Sequence, residues 1–306
     1  MVTFKHVLCP IDFSEPSKRA LAYAVAFAHW HQARLAVMHV APTFEPSLAP
    51  PVRYDEPGEI VFPVQREDVL EALHRAAKAA GASPSRVEAV AEAGAPVPMI
   101  VDRAISWPAD LVVIGTHGRS GFDRALLGSV AERVMHKAPC PVLTVPPSAH
   151  AASASPVAIK RILCPVDFSP SSLVALGFAL DLARQVRAAV TLLHIVDWPT
   201  EGEPLAHAQA AAPEMLASLL ADGRDRLKAA VPAEAADVEL AQVVVAGRAK
   251  REVLRYASEH DSDIILMGAQ GREGFGLALL GSTTERVVRD AACPVLTLRG
   301  VPVLPS

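Results

Sequence analysis

Short aliphatic runs alternate along the chain with longer amphipathic stretches. The first half reads as strand 4–9, helix 15–32, strand 34–40, helix 65–81, strand 86–92, helix 96–106, strand 110–115, helix 129–137 and strand 141–146. Runs such as Leu111 to Ile114 and Ile264 to Met267 are apolar throughout, as in strands covered on both faces. Strands alternating with helices imply right-handed crossovers and an α/β fold with a parallel sheet.

The order then returns. Val7-Leu8-Cys9-Pro10-Ile11-Asp12-Phe13-Ser14 is echoed by Ile162-Leu163-Cys164-Pro165-Val166-Asp167-Phe168-Ser169, and Met38-His39-Val40 by Leu193-His194-Ile195, both at an offset of 155. Further along, Gly115, Gly118, Gly128 and Cys140 match Gly268, Gly271, Gly281 and Cys293 at an offset of 153. The two-residue change must fall in the middle of each copy. A Pro-, Ser- and Ala-rich stretch separates the copies. The expected layout is a domain over 1–146, a linker over 147–159 and a second domain over 160–300, which suits a chain of 306 residues. The Pro-rich segment 41–64 and its counterpart 197–213 are long for loops. Each is either a lid over a site or a loose connection.

Composition narrows the classes. With 51% hydrophobic and 20% charged residues, two buried cores are within reach. The net charge is −4 and Lys and Arg are scattered, which argues against a nucleic-acid partner. No apolar run approaches the roughly 18 residues that a membrane helix needs. The opening Met1-Val2-Thr3-Phe4-Lys5-His6 runs straight into a strand without the features of a secretory signal, so the cytoplasm is the default expectation. Cys9, Cys140, Cys164 and Cys293 each precede a proline and lack metal or redox spacing, so they read as buried thiols.

The chemistry is concentrated in glycines. Each copy has a strand, Gly-x-x-Gly, nine residues, Gly-Ser and a helix: Gly115, Gly118, Gly128 and Ser129, then Gly268, Gly271, Gly281 and Ser282. Glycine lets the main chain approach a ligand closely. The first amides of a helix have no internal partner, and with the helix dipole they favour phosphate oxygens. In open α/β sheets the ligand lies beyond the carboxyl ends of the strands, where Pro10-Ile11-Asp12 and Pro165-Val166-Asp167 are also expected.

A blander reading stands beside this one. Ser129-Val130-Ala131-Glu132 and Ser282-Thr283-Thr284-Glu285 have the form of capping boxes, and Asp12 and Asp167 could be helix N-caps. A cap does not need Gly118 or Gly271, and both roles can coexist. Arg119 and Arg272 follow the second glycine and are either solvated loop charges or phosphate contacts. His117, replaced by Gln270 in the second copy, reads as a lining residue. The second loop has Glu273 and Leu277 where the first has Ser120 and Arg124, so weaker phosphate binding is expected there.

These motifs, with Val130-Ala131-Glu132-Arg133-Val134 and Cys140-Pro141-Val142-Leu143, resemble the universal stress protein family across nearly the whole chain. The resemblance implies two Rossmann-like open parallel five-stranded sheets, order 3-2-1-4-5, with helices on both faces. It implies ATP, with base and ribose at Pro10, Asp12, Val40 and Gly115 and phosphates at Gly118, Gly128, Ser129 and the Val130 amide. The second-copy equivalents are Pro165, Asp167, Ile195, Gly268, Gly271, Gly281, Ser282 and Thr283. A divalent ion such as Mg or Mn would ride on the phosphates. Family members pair through their last strands, so Val142 to Val145 and Val295 to Leu298 are expected to join as an internal dimer, with a homodimer as a further step.

Three functions follow. The first is an ATP-dependent switch or sensor without efficient catalysis, since no Walker lysine or base–nucleophile constellation is present. The second is a slow ATPase, with Asp12 or Asp167 orienting water. The third is an interaction scaffold with empty sites.

Overall fold

The computed structural model describes residues 3–41, 66–116, 127–149, 157–199, 213–271 and 280–299. Most of each Pro-rich segment (42–65 and 200–212) falls outside them, as do His117, Gly118, Arg119, Ser120, Arg124, Arg272, Glu273 and Leu277.

In chain order the first half comprises β1 (His6–Pro10), α1 (Glu15–Trp30), β2 (Arg34–Ala41), α2 (Arg66–Ala79), β3 (Val87–Ala93), α3 (Pro96–Ser106), β4 (Leu111–Gly115), α4 (Ser129–Lys137) and β5 (Val142–Val145). The second comprises β6 (Arg161–Pro165), α5 (Pro170–Val186), β7 (Ala189–Asp197), α6 (Pro213–Ala230), β8 (Leu240–Gly247), α7 (Ala249–Glu259), β9 (Ile264–Gly268), α8 (Ser282–Asp290) and β10 (Val295–Leu298).

Each half has the expected parallel order, and the halves join into one ten-stranded sheet, β3-β2-β1-β4-β5-β10-β9-β6-β7-β8. The join is antiparallel: Val142, Leu143 and Thr144 face Thr297, Leu296 and Val295. Two buried threonines tie it symmetrically. Thr144 Oγ1 donates to the Val295 carbonyl and Thr297 Oγ1 to the Val142 carbonyl, each at 3.1 Å. Arg299 crosses the seam to donate to the carbonyls of Met135 and His136 at the end of α4. The expected pairing of the last strands is thus present within one chain, and it removes two apolar edges.

The two-residue change of offset lies between the second and third strands of each half. Leu35 pairs with Val87, and Val190, 155 residues after Leu35, pairs with Leu240, 153 after Val87. The strand register is therefore the same in both halves.

Apolar clusters cover both faces of the sheet, and each runs through both halves. On one face Phe4 meets Phe178 of α5, ring centroids 5.2 Å apart. Nearby, Gln185 Nε2 donates to the Trp30 carbonyl. Cys9, Cys140 and Cys164 are buried and Cys293 is partly so, all as free thiols. Burial pushes the Cys140, Cys164 and Cys293 thiols up to about 12, so they are protonated and unreactive at neutral pH.

His31 is buried beside Phe4 and Phe27, and neither ring nitrogen has a hydrogen-bond partner. Burial lowers its pKa to about 4. The unfolded chain takes up this proton near the ordinary value of about 6.5. Below that pH the unfolded state holds more protons, so stability that is complete above it is lost as pH falls towards 4. The expected result is an unfolding free energy that declines over this window, and a shallower decline in His31→Phe, measured by urea melts at successive pH values.

Candidate functional site

Strand order reverses at β1 and β4 in the first half and at β6 and β9 in the second, which opens a crevice beyond their carboxyl ends. Pro10 and Pro165 close β1 and β6 there, both buried. Val40 and Ile195 lie near the ends of β2 and β7, and Gly115 and Gly268 end β4 and β9.

Asp12 and Asp167 are half-buried in the turns that enter α1 and α5. They are not the helix caps. Ser14 and Ser169 are, accepting from the amides of Ser17 and Ser172. Each aspartate accepts from the serine two residues on: the Ser14 amide reaches Asp12 Oδ1 at 3.0 Å, and the Ser169 amide reaches Asp167 Oδ1 at 3.0 Å. The serine hydroxyls donate to the same oxygens. Sequence reading missed these serines as partners, although the Asp-Phe-Ser repeat carried the signal.

The glycine-spaced segment returns to where it left. The Gly128 amide donates to the Thr116 carbonyl at 2.6 Å, and the Gly281 amide to the Ala269 carbonyl at 2.8 Å. Each helix entrance is thereby hooked to the end of the strand before it. Gly128 and Gly281 are the N-caps, with extended ψ of 133° and 142°, and as glycines they supply no side-chain cap to α4 or α8. The capping-box reading is therefore overturned. Because Gly128 and Gly281 hold the cap position, Ser129 and Ser282 become the first helical residues instead. Ser129 and Ser282 are exposed, while Val130 and Thr283 are half-buried. The first amides of both helices thus receive no capping oxygen from the N-cap residue.

In the second half the pieces can be seen to converge. A β-carbon built on Gly271 would lie 3.1 Å from Asp167 Oδ2, and one on Gly281 would lie 3.4 Å from the Gly271 nitrogen. Asp167, Gly271 and Gly281 therefore share one crevice. Gly268 has a different reason to be glycine. A β-carbon there would come within 2.8 Å of the main chain of Ser171 and Ser172, so the strand end packs directly on the α5 entrance. Ser171 also donates its hydroxyl to the Gln270 carbonyl. Among the described residues no cluster of His, Cys, Asp and Glu suited to a metal is found.

The sequence profile of the Universal stress protein family matches residues 3–146 and again 158–299. The chain belongs to the universal stress protein family. A universal stress protein of Mycobacterium tuberculosis is 29% identical over 312 residues, with 96% of each chain covered. One from Thermus aquaticus is 35% identical over 147 residues, which span 46% of this chain and 98% of that protein. The solved structure of a universal stress protein from Archaeoglobus fulgidus shares the fold, with a TM-score of 0.63, 21% identity and 96% of each chain covered. The tandem relative and the single-domain one together fit two family units in one chain. No described helix of this universal stress protein is long and apolar enough to cross a membrane.

Proposed function

We propose that this tandem universal stress protein binds adenine nucleotides in both halves and acts as a nucleotide-dependent switch or sensor. The observation that carries the reading is the pair of helix entrances at Gly128 and Gly281, each held by the end of the preceding strand and each with a glycine, which has no side chain to offer, at the cap position. Main-chain amides so placed, at the positive end of a helix dipole, suit phosphate oxygens. Asp12 and Asp167 sit where a ribose or base would lie, with Val40 and Ile195 as apolar walls. A divalent ion would be carried by the phosphates.

Mass spectrometry of small molecules released from the purified, denatured protein tests this reading. The expected finding is an adenine nucleotide at up to two per chain. A phosphate-release assay on the same preparation should show no sustained turnover. Steady release lost in Asp12→Ala with binding intact would replace the switch with a slow ATPase.

A further inference from the structure

Two histidines grip the main chain from which each site aspartate emerges. His39 on β2 and His194 on β7 stand just before Val40 and Ile195. His39 Nδ1 lies 2.8 Å from the Ile11 carbonyl oxygen, and His194 Nδ1 lies 2.7 Å from that of Val166. A carbonyl only accepts, so each ring carries a proton on Nδ1 and donates it. The same residues are held through their amides, Ile11 to the Met38 carbonyl at 2.8 Å and Val166 to the Leu193 carbonyl at 2.9 Å. Both main-chain groups of the residue before each aspartate are thus tied to the neighbouring strand.

Beyond each aspartate the chain turns sharply. Phe13 and Phe168 both have φ of 64°, a left-handed conformation that bulky residues rarely adopt. Such a conformation persists only where its surroundings enforce it. The ring of Phe13 packs on His39 with centroids 4.9 Å apart, and that of Phe168 on His194 at 4.6 Å. The left-handed step brings the Ser14 and Ser169 amides round to the aspartate oxygens. Each histidine therefore holds the turn twice, by a donor on one side of the aspartate and by a ring face on the other. The arrangement recurs in both halves although the covering helices differ. Only in the second half does a described arginine, Arg226, lie over the phenylalanine ring, at 4.2 Å.

We propose that His39 and His194 are positioning residues for the nucleotide site: through the preceding carbonyl and the strained phenylalanine they aim Asp12 and Asp167 into the crevice. The proposal deepens the nucleotide-binding reading and rests on it. Neither histidine needs to touch the ligand.

The test compares two double variants of the full chain, His39→Asn with His194→Asn and His39→Leu with His194→Leu. Asparagine carries an amide nitrogen where Nδ1 lies and keeps the donor. Leucine keeps apolar bulk and loses the donor. The expected result is Mg-ATP binding weakened ~10-fold or more in the leucine pair, because a carbonyl is left unsatisfied, and a loss of less than ~3-fold in the asparagine pair. A role in packing alone gives the opposite order, with leucine the better substitute, and that order would overturn the proposal. Amide hydrogen exchange without nucleotide reads the turns directly. Exchange across residues 12–17 and 167–172 should quicken in the leucine pair and stay near that of the parent protein in the asparagine pair. Unchanged exchange in the leucine pair overturns the positioning role whatever the binding result. A parent protein that binds no Mg-ATP overturns the nucleotide reading instead, and the exchange data still decide whether the histidines set the turns.

Discussion

Gly128→Asp combined with Gly281→Asp is expected to reduce Mg-ATP affinity by ~100-fold or more while leaving the protein as heat-stable as its parent, or more so. Both glycines have negative φ, −57° and −67°, so an aspartate can adopt either conformation without strain. A β-carbon at Gly281 would make only ordinary contacts, the nearest at 3.4 Å. Aspartate is a favoured N-cap, and its carboxylate would bond the very amides proposed to hold phosphate. It would also repel the polyanion. Losing about two charge-assisted hydrogen bonds, each worth about 1.5–3 kcal/mol, gives the stated loss. The pairing of steady or raised melting temperature with lost binding separates a ligand role from a structural one. Calorimetry and a thermal melt on one sample supply both readings, and retained binding would remove the helix entrances from the site.

The second large effect concerns the seam. Leu143 and Leu296 face one another across β5 and β10, and both are fully buried. Leu143→Ala or Leu296→Ala should each cost about 2–5 kcal/mol, the range for truncating a large buried side chain. The manner of unfolding matters as much as the amount. One sheet and two clusters run through both halves, so the parent and both variants should melt in a single transition that shifts as a whole. Differential scanning calorimetry that resolved two transitions, with only one moved by the substitution, would show the halves to be independent.

Much of the fold was legible in the aliphatic runs, because strands covered on both faces are apolar at most positions. The helix from Pro96 to Ser106 falls as the sequence predicts. The ends of α1 and α2 do not, and local backbone explains why. The residue Gln32 has φ of 56° and Gly81 has φ of 86°, so the helices stop at Trp30 and Ala79 before those turns. The joining of the last strands was expected from the family resemblance, and pairing also removes an apolar edge that would be a liability.

The candidate site was readable in its parts but less so in their roles. Repetition singled out Asp12 and Asp167, yet only the structure shows that serines two residues on engage them. Ser129 and Ser282 satisfy the capping-box spacing, but spacing cannot reveal that the preceding glycine amide is claimed by Thr116 or Ala269. The tight packing of Gly268 on Ser171 and Ser172 depends on how a helix sits against a strand end, which no local pattern encodes. His39 and His194 repeated in plain sight, but a lone histidine in an aliphatic strand does not disclose which carbonyl it holds.

In the proposed function, bare amides at two helix entrances hold the phosphates of a nucleotide. Isothermal titration of the full chain with Mg-ATP, and then with adenosine, tests it most directly. The expected result is heat from binding of ATP at up to two sites per chain, with adenosine at least ~10-fold weaker for want of charged oxygens at those amides. No heat with ATP, or adenosine binding as tightly as ATP, would contradict it.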